Sequence, residues 1–233
     1  MLRRTNLSPT SATWRPEPNR SATRCVQPAS IPWETHSSVS IKPPAFAVCE
    51  GGEVETPVEF KRLARVELSS VAEIDRTERI DLIYEQHGAE LLERRGSWNS
   101  PAWDPHGHGA NSVTAHRQAL EHYLDAGGIA LGAFSKGQLV GIGVVVPHLR
   151  PKIAQLTFLH VSAAFRAMGI GRRLSDELDL IARDADDTEI VVSATPSQTT
   201  VRFYMSRGYQ LMAQPLPELC ELEPEDVHMR KTL

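Results

Sequence analysis

Ala154-Gln-Leu-Thr-Phe-Leu-His-Val161, followed after four residues by Arg166-Ala-Met-Gly169-Ile-Gly171, is the stretch that decides how this chain is read. The first segment is rich in β-branched and aromatic residues, the mark of a strand. Beyond the turn, Ile170, Leu174, Leu178 and Ile181 recur at helical spacing. A strand therefore runs directly into a helix. Two glycines at the junction let successive backbone N–H groups point into one small space, and the helix N-terminus adds roughly half a positive charge there. The result is an anion cradle. Arg166, Arg172 and Arg173 flank it, so its expected guest is a phosphate or pyrophosphate.

A dinucleotide fingerprint would need Gly-x-Gly-x-x-Gly with an acidic residue about twenty positions on, and a Walker loop would need Gly-Lys-Ser/Thr. Neither stands here. A second strand, Glu189-Ile-Val-Val-Ser-Ala194, precedes Pro196-Ser-Gln-Thr-Thr-Val-Arg-Phe203-Tyr204 and then Arg207-Gly208-Tyr209. The spacing Arg-x-x-Gly-x-Gly and this continuation resemble the acyl-CoA pyrophosphate loop of the GNAT N-acetyltransferase superfamily. The plain alternative is a tight strand-to-helix turn with no ligand.

Composition divides the chain unevenly. Residues 1–57 hold eight of the sixteen prolines, many Ser and Thr, and no sustained apolar period. Such a segment buries too little to offset its ordering entropy, so it reads as a disordered tail preceding one domain over 58–233. Its first 33 residues carry Arg3, Arg4, Arg15, Arg20 and Arg24 against Glu17 alone. That resembles a transit peptide in composition, but no amphipathic helix accompanies it, and a flexible tail or a misplaced start is the better reading. No apolar run reaches membrane-spanning length, so a soluble, cytoplasmic protein with no membrane partner is expected. Three scattered cysteines, Cys25, Cys49 and Cys220, make no disulfide framework. The net charge of −4 supplies no basic field for nucleic acid.

Patterned sequence starts after Pro57. Residues 59–68 read as a first strand. Ser70-Val-Ala-Glu73 has the form of a capping box, which predicts a helix through Ile74, Ile80 and Ile83 to about His87. After an irregular stretch over 88–112, Asn111 or Ser112 caps a second helix that Gly127-Gly128 ends. Strands 129–134 and 139–146 form a hairpin across Ser135-Lys-Gly-Gln138, and Val227–Leu233 suits a last strand. The predicted order is strand, two helices, hairpin, strand, helix, strand, helix, strand. It matches the GNAT fold: an α/β (α+β) mixed sheet, splayed at its centre and flanked by helices.

The resemblance implies an acyltransferase enzyme in which acetyl-CoA is the co-substrate and a primary amine of a small molecule or peptide attacks directly; it admits a homodimer. It implies that the backbone at Leu159 and Val161 pairs with the pantetheine arm. Arg166, Ala167, Met168, Gly169, Ile170, Gly171 and Arg172 would hold the pyrophosphate. Ser197 stands where the family commonly has Asn, and its hydroxyl can still donate to CoA. Tyr204 matches the family's general acid, a phenol protonated at neutral pH; its other reading is a core aromatic beside Phe203. Family members that carry a base on the central strand place Glu or His at the positions of Gln155 or Thr157. Without one, the amine proton must leave elsewhere, through water to Glu85, His106, His108 or His160, although period-2 alternation makes His160 a packed side chain. The absence of a strand base also keeps open a non-catalytic acyl-CoA-binding module.

The segment 97–108 falls where the family builds its acceptor pocket, and Trp98 and Trp103 are candidates to wall it. Asp104-x-His106-x-His108 lacks the spacing of known metal sites, so no metal is expected.

Overall fold

The structure is a computed structural model that describes residues 58–107 and 109–233; the expected tail over 1–57 and His108 lie outside the described residues. A seven-stranded mixed sheet forms its centre, built from β1 (Val58–Arg62), β4 (Ile129–Ser135), β5 (Gln138–Arg150), β6 (Ile153–Val161), β7 (Glu189–Ala194), β8 (Gln210–Leu211) and β9 (Val227–Thr232). The strands lie in the order β1-β4-β5-β6-β7-β9-β8. All pairings are antiparallel except β6 with β7. The β4–β5 turn is the expected one, with Lys136 and Gly137 both at positive φ (50° and 81°), the backbone a two-residue hairpin turn requires.

Every residue of β5 from Leu139 to Val146 is buried, because helices cover both faces of the sheet. On one face α2 (Ile170–Asp184) sets Leu174, Leu178 and Ala182 among Val140, Ala154 and Ile190. On the other, α1 (Val113–Asp125) sets Leu120 and Tyr123 among Leu139, Ile142 and Val144, joined by Leu68 and Val71 of a 3-10 helix, Arg65–Glu73. Ser112 caps α1 by accepting from the Ala115 N–H at 3.1 Å. Gly141 and Gly143 let α2 approach β5 closely: a Cβ at Gly141 would stand 2.9 Å from Ile170 Cγ2, and one at Gly143 2.7 Å from Leu178 Cδ1. Those two contacts set where the α2 N-terminus points.

The expected helix over 70–87 is not formed. The 3-10 helix ends at Glu73, and Glu78–His87 is a strand, β2, paired antiparallel with β3 (Glu90–Ser100) in a separate two-stranded sheet. Arg79 and Asp81 are exposed while Ile80 and Leu82 are buried, a short alternation that a spacing argument on Ile74, Ile80 and Ile83 passes over; Ile83 and Tyr84 beyond it are both buried. Glu73 does not close a box with Ser70; its carboxylate accepts the Leu139 backbone N–H at 2.7 Å. The reciprocal contact at the helix start is made by Glu67, which accepts from the Ala64 N–H at 2.8 Å. β3 was hidden in the expected irregular stretch because its exposed Glu93, Arg94 and Arg95 leave no apolar alternation. A short helix, α4 (Pro217–Leu222), also went unread; α3 (Gln198–Ser206) follows β7 as expected.

Candidate active site

The pairing of β6 with β7 runs from Ile153↔Glu189 to Leu156↔Val192 and stops, so the strands diverge over Thr157–Val161 and Ser193–Ala194. On its other edge β6 stays paired with β5 out to Gly141↔Val161, and the Ser162 N–H still reaches Val140 O at 2.9 Å. Backbone polar groups alternate sides along a strand. Those of Val161 and Leu159 therefore turn toward the opening.

Two cavities meet at this divergence. The larger, about 530 Å³, is lined by Leu159, Val161, Arg166, Ala167, Gly169, Gly171 and Arg172, and by Thr199, Thr200, Phe203 and Tyr204 of α3. The smaller, about 120 Å³, reaches between the strands and is lined by Leu156–His160 and Val192–Thr195 together with Arg76, His116, Glu223 and Tyr204. Glu78, Leu159, His160, Arg166, Thr200 and Tyr204 line both.

The cradle has the backbone its glycines imply. Gly169 is the N-cap of α2 at φ 82°, and Ala167 is also left-handed at φ 63°. A Cβ at Gly171 would lie 3.5 Å from Phe203 Cε2 and 3.6 Å from Val161 Cγ2, ordinary contact that an alanine could make and a longer side chain could not without entering the cleft. Arg166 spans several groups: Nε donates to Val161 O (3.2 Å), Nη1 to Thr77 O (2.9 Å), and Glu78 stands 4.0 Å away. The Val161 carbonyl thus already has a donor.

Three expected contributors sit off the cleft. Met168 is exposed, and Ile170 is buried against β5. Ser197 is 1% exposed and caps α3, accepting from the Thr200 N–H (3.2 Å) and donating to Thr200 Oγ1 (3.0 Å). Thr199 and Thr200, not Ser197, line the cleft on α3.

Tyr204 is buried, in edge contact with Phe203 and Tyr209, each centroid 5.2 Å away. Burial, with the charges of Glu223 and Asp226, pushes its phenol well above the usual range, so the proton stays on oxygen. Gln155 and Thr157 supply no base, and Thr157 Oγ1 donates to Val144 O at 3.3 Å. His160 reaches both cavities, with its ring 4.5 Å from Phe158 and 5.3 Å from Trp103. Burial and then the Arg76 cation push it down to about 3, so it is neutral and a poor base. Glu85 is held by Arg94 at 2.8 Å on the β2–β3 sheet, and His106 is exposed.

The tryptophans do not wall these cavities. Trp103 is core, 3.8 Å from the His116 ring with the Arg76 guanidinium 4.6 Å over it, and Trp98 pairs with Ile80 across β2–β3. Asp104 accepts from the His106 and Gly107 backbone N–H groups (3.0 and 2.7 Å), closing a loop. Among the described residues no cluster of three metal-ligating side chains occurs. Arg76, Glu78, His116 and Glu223 were missed by sequence reading: none belongs to a motif, and each is delivered by an element that was misread or unread, or by the buried side of α1.

No curated protein matches the chain. Among solved structures, a nourseothricin acetyltransferase superposes with TM-score 0.57 at 14% identity, covering 75% of this chain and 98% of that one. A streptothricin acetyltransferase of Bacillus anthracis str. Ames in complex with acetyl coenzyme A gives 0.54 at 15% (75% and 96%). The PaiA N-acetyltransferase of Thermoplasma acidophilum in complex with coenzyme A gives 0.51 at 15% (76% and 99%). These likenesses establish the fold. The model of the acetyltransferase (GNAT) domain matches residues 104–233, more than half of the chain, and so the chain belongs to the GNAT acetyltransferase family.

Proposed function

We propose that this acetyltransferase moves the acetyl group of acetyl-CoA onto a primary amine of a small molecule or peptide by direct attack. The observation that carries the reading is the divergence of β6 from β7 where the two cavities join, with a buried, protonated phenol, Tyr204, bordering both. The Gly169–Gly171 turn and the α2 N-terminus receive the pyrophosphate, flanked by Arg172. The open edge of β6 at Leu159 and Val161 pairs with the pantetheine arm and fixes the thioester at the mouth of the smaller cavity, where the amine arrives. Holding two reactants in register supplies much of the rate in such a transfer. Tyr204 donates to the sulfur as the C–S bond breaks. That two structural neighbours hold coenzyme A or acetyl coenzyme A supports the choice of co-substrate. No described helix is long and apolar enough to cross a membrane, in keeping with small diffusing substrates.

Incubation with acetyl-CoA and a panel of alkylamines, polyamines, aminoglycosides and peptide N-termini, with thiol release as the readout, tests this. Free CoA with at least one amine is expected. Tight acetyl-CoA binding without thiol release from any of them would make the protein an acyl-CoA-binding module instead.

A further inference from the structure

The transfer needs a proton acceptor for the amine, and neither Gln155 nor Thr157 on β6 provides it. Among the described residues lining the smaller cavity, the carboxylates are Glu78 and Glu223. Glu78 lies at the Arg166 end, 4.0 Å from that guanidinium, and lines the larger cavity as well. Glu223 stands just past α4, where its backbone N–H bonds to Leu219 O (2.9 Å) and its carbonyl accepts the Asp226 N–H (3.1 Å). It is 7% exposed, yet it borders the smaller cavity, which Tyr204 also lines. Its charge is felt at two phenols: burial first and Glu223 second push both Tyr204 and Tyr123 above the ordinary phenol range.

We infer that Glu223, presented by the segment after α4, is the catalytic base that takes the proton from the acceptor amine in the smaller cavity. The inference rests on the acetyl-transfer reading. The balance is complete with the groups present. An ammonium N–H bond breaks and its proton passes to the Glu223 carboxylate; the neutral amine bonds to the thioester carbonyl carbon. As the adduct collapses the C–S bond breaks and the thiolate takes the Tyr204 proton. The remaining surplus N–H proton returns to the phenolate, and Glu223 releases its proton to solvent. A phenol held this high is a reluctant acid unless its proton is replaced during the same event, and the adduct nitrogen replaces it. His160 also lines the smaller cavity, but burial and then the Arg76 cation push it down to about 3, below the ordinary carboxylate range; His228 does not line it.

The experiment compares acceptors that differ in whether they need a base. Acetyl-CoA turnover is measured for the parent protein with 2-phenylethylamine, putrescine, kanamycin and glycylglycine, all largely protonated at neutral pH, and with hydroxylamine, which is neutral there; the uncatalysed rate is subtracted. Glu223→Gln should lower kcat/KM for the best basic amine by at least about 10²-fold while hydroxylamine turnover falls less than about tenfold, and Glu223→Asp should recover part of the loss. Equal losses for both kinds of acceptor, or no loss, would overturn the inference. So would the selective loss appearing in Glu78→Gln or His116→Asn and not in Glu223→Gln. A parent that acetylates hydroxylamine alone has no use for a base and also overturns it, with the transfer reading intact; a parent that acetylates nothing removes that reading itself.

Discussion

The Nε of Arg166 donates to the backbone carbonyl of Val161 at 3.2 Å, tying the first residue of the cradle loop to the last residue of the strand that faces the opening. The same guanidinium donates to Thr77 O at 2.9 Å, so one side chain fixes the loop against both β6 and the approach to β2. Arg166 thereby shapes the pyrophosphate seat as well as contributing charge to it. Lysine would keep the charge and lose the fork. Hydrogen bonds from a charged donor are worth about 1.5–3 kcal/mol, so Arg166→Lys should raise the KM for acetyl-CoA on the order of tenfold with a smaller change in kcat. Initial-rate kinetics at varied acetyl-CoA checks it, and an unchanged KM would show that the loop is held without these bonds.

Tyr204→Phe keeps the ring in contact with Phe203 and Tyr209 and removes only the hydroxyl. Packing should survive, whereas kcat should fall by at least about tenfold with CoA affinity little altered, since general acid assistance is typically worth about 10²- to 10⁴-fold. Steady-state kinetics with calorimetric CoA binding separates the two effects. Parental turnover in the Phe variant would leave Tyr204 as a packing residue.

His228 is 2% exposed on β9, with Nδ1 3.1 Å from Ser193 Oγ, and burial pushes it from 6.5 down to about 4. Its folded pKa is depressed, so the unfolded chain binds the proton more readily. The neutral ring contributes its full stability above about pH 6.5 and loses it as pH falls toward about 4. Chemical denaturation between pH 7 and pH 4 should show stability falling through that window, and His228→Gln should flatten the slope. A variant with the parental pH dependence would place the effect elsewhere.

From β4 to β7 the fold was legible because each signal there is local: a Gly turn at φ 81° in the hairpin, a glycine N-cap at φ 82°, and a run of buried β-branched residues in β5. The N-terminal part was not. Ile80 and Ile83 fit a helical spacing as readily as a strand, and only pairing with the polar β3, together with the Tyr84 N–H reaching Pro196 O at 2.8 Å, makes β2 a strand. The site divides in the same way. Arg166, Gly169, Gly171 and Tyr204 could be found from their spacing in one continuous region. Arg76, His116 and Glu223 come from three distant segments, and their convergence on one cavity is a property of the tertiary fold alone. The Ser197 hydroxyl, read from sequence as a CoA donor, caps α3 in the structure.

In the proposed function the Gly169–Gly171 turn at the head of α2 is a phosphate seat. Gly171→Asp places a side chain and a negative charge in that seat, while the ordinary 3.5 Å contact around its Cβ leaves the packing with Phe203 and Val161 nearly unstrained. Isothermal titration of coenzyme A into the parent and the variant, each checked for an intact fold by circular dichroism, tests it most directly: saturable binding by the parent and none by folded Gly171→Asp is predicted, and equal affinity in the two folded proteins would contradict it.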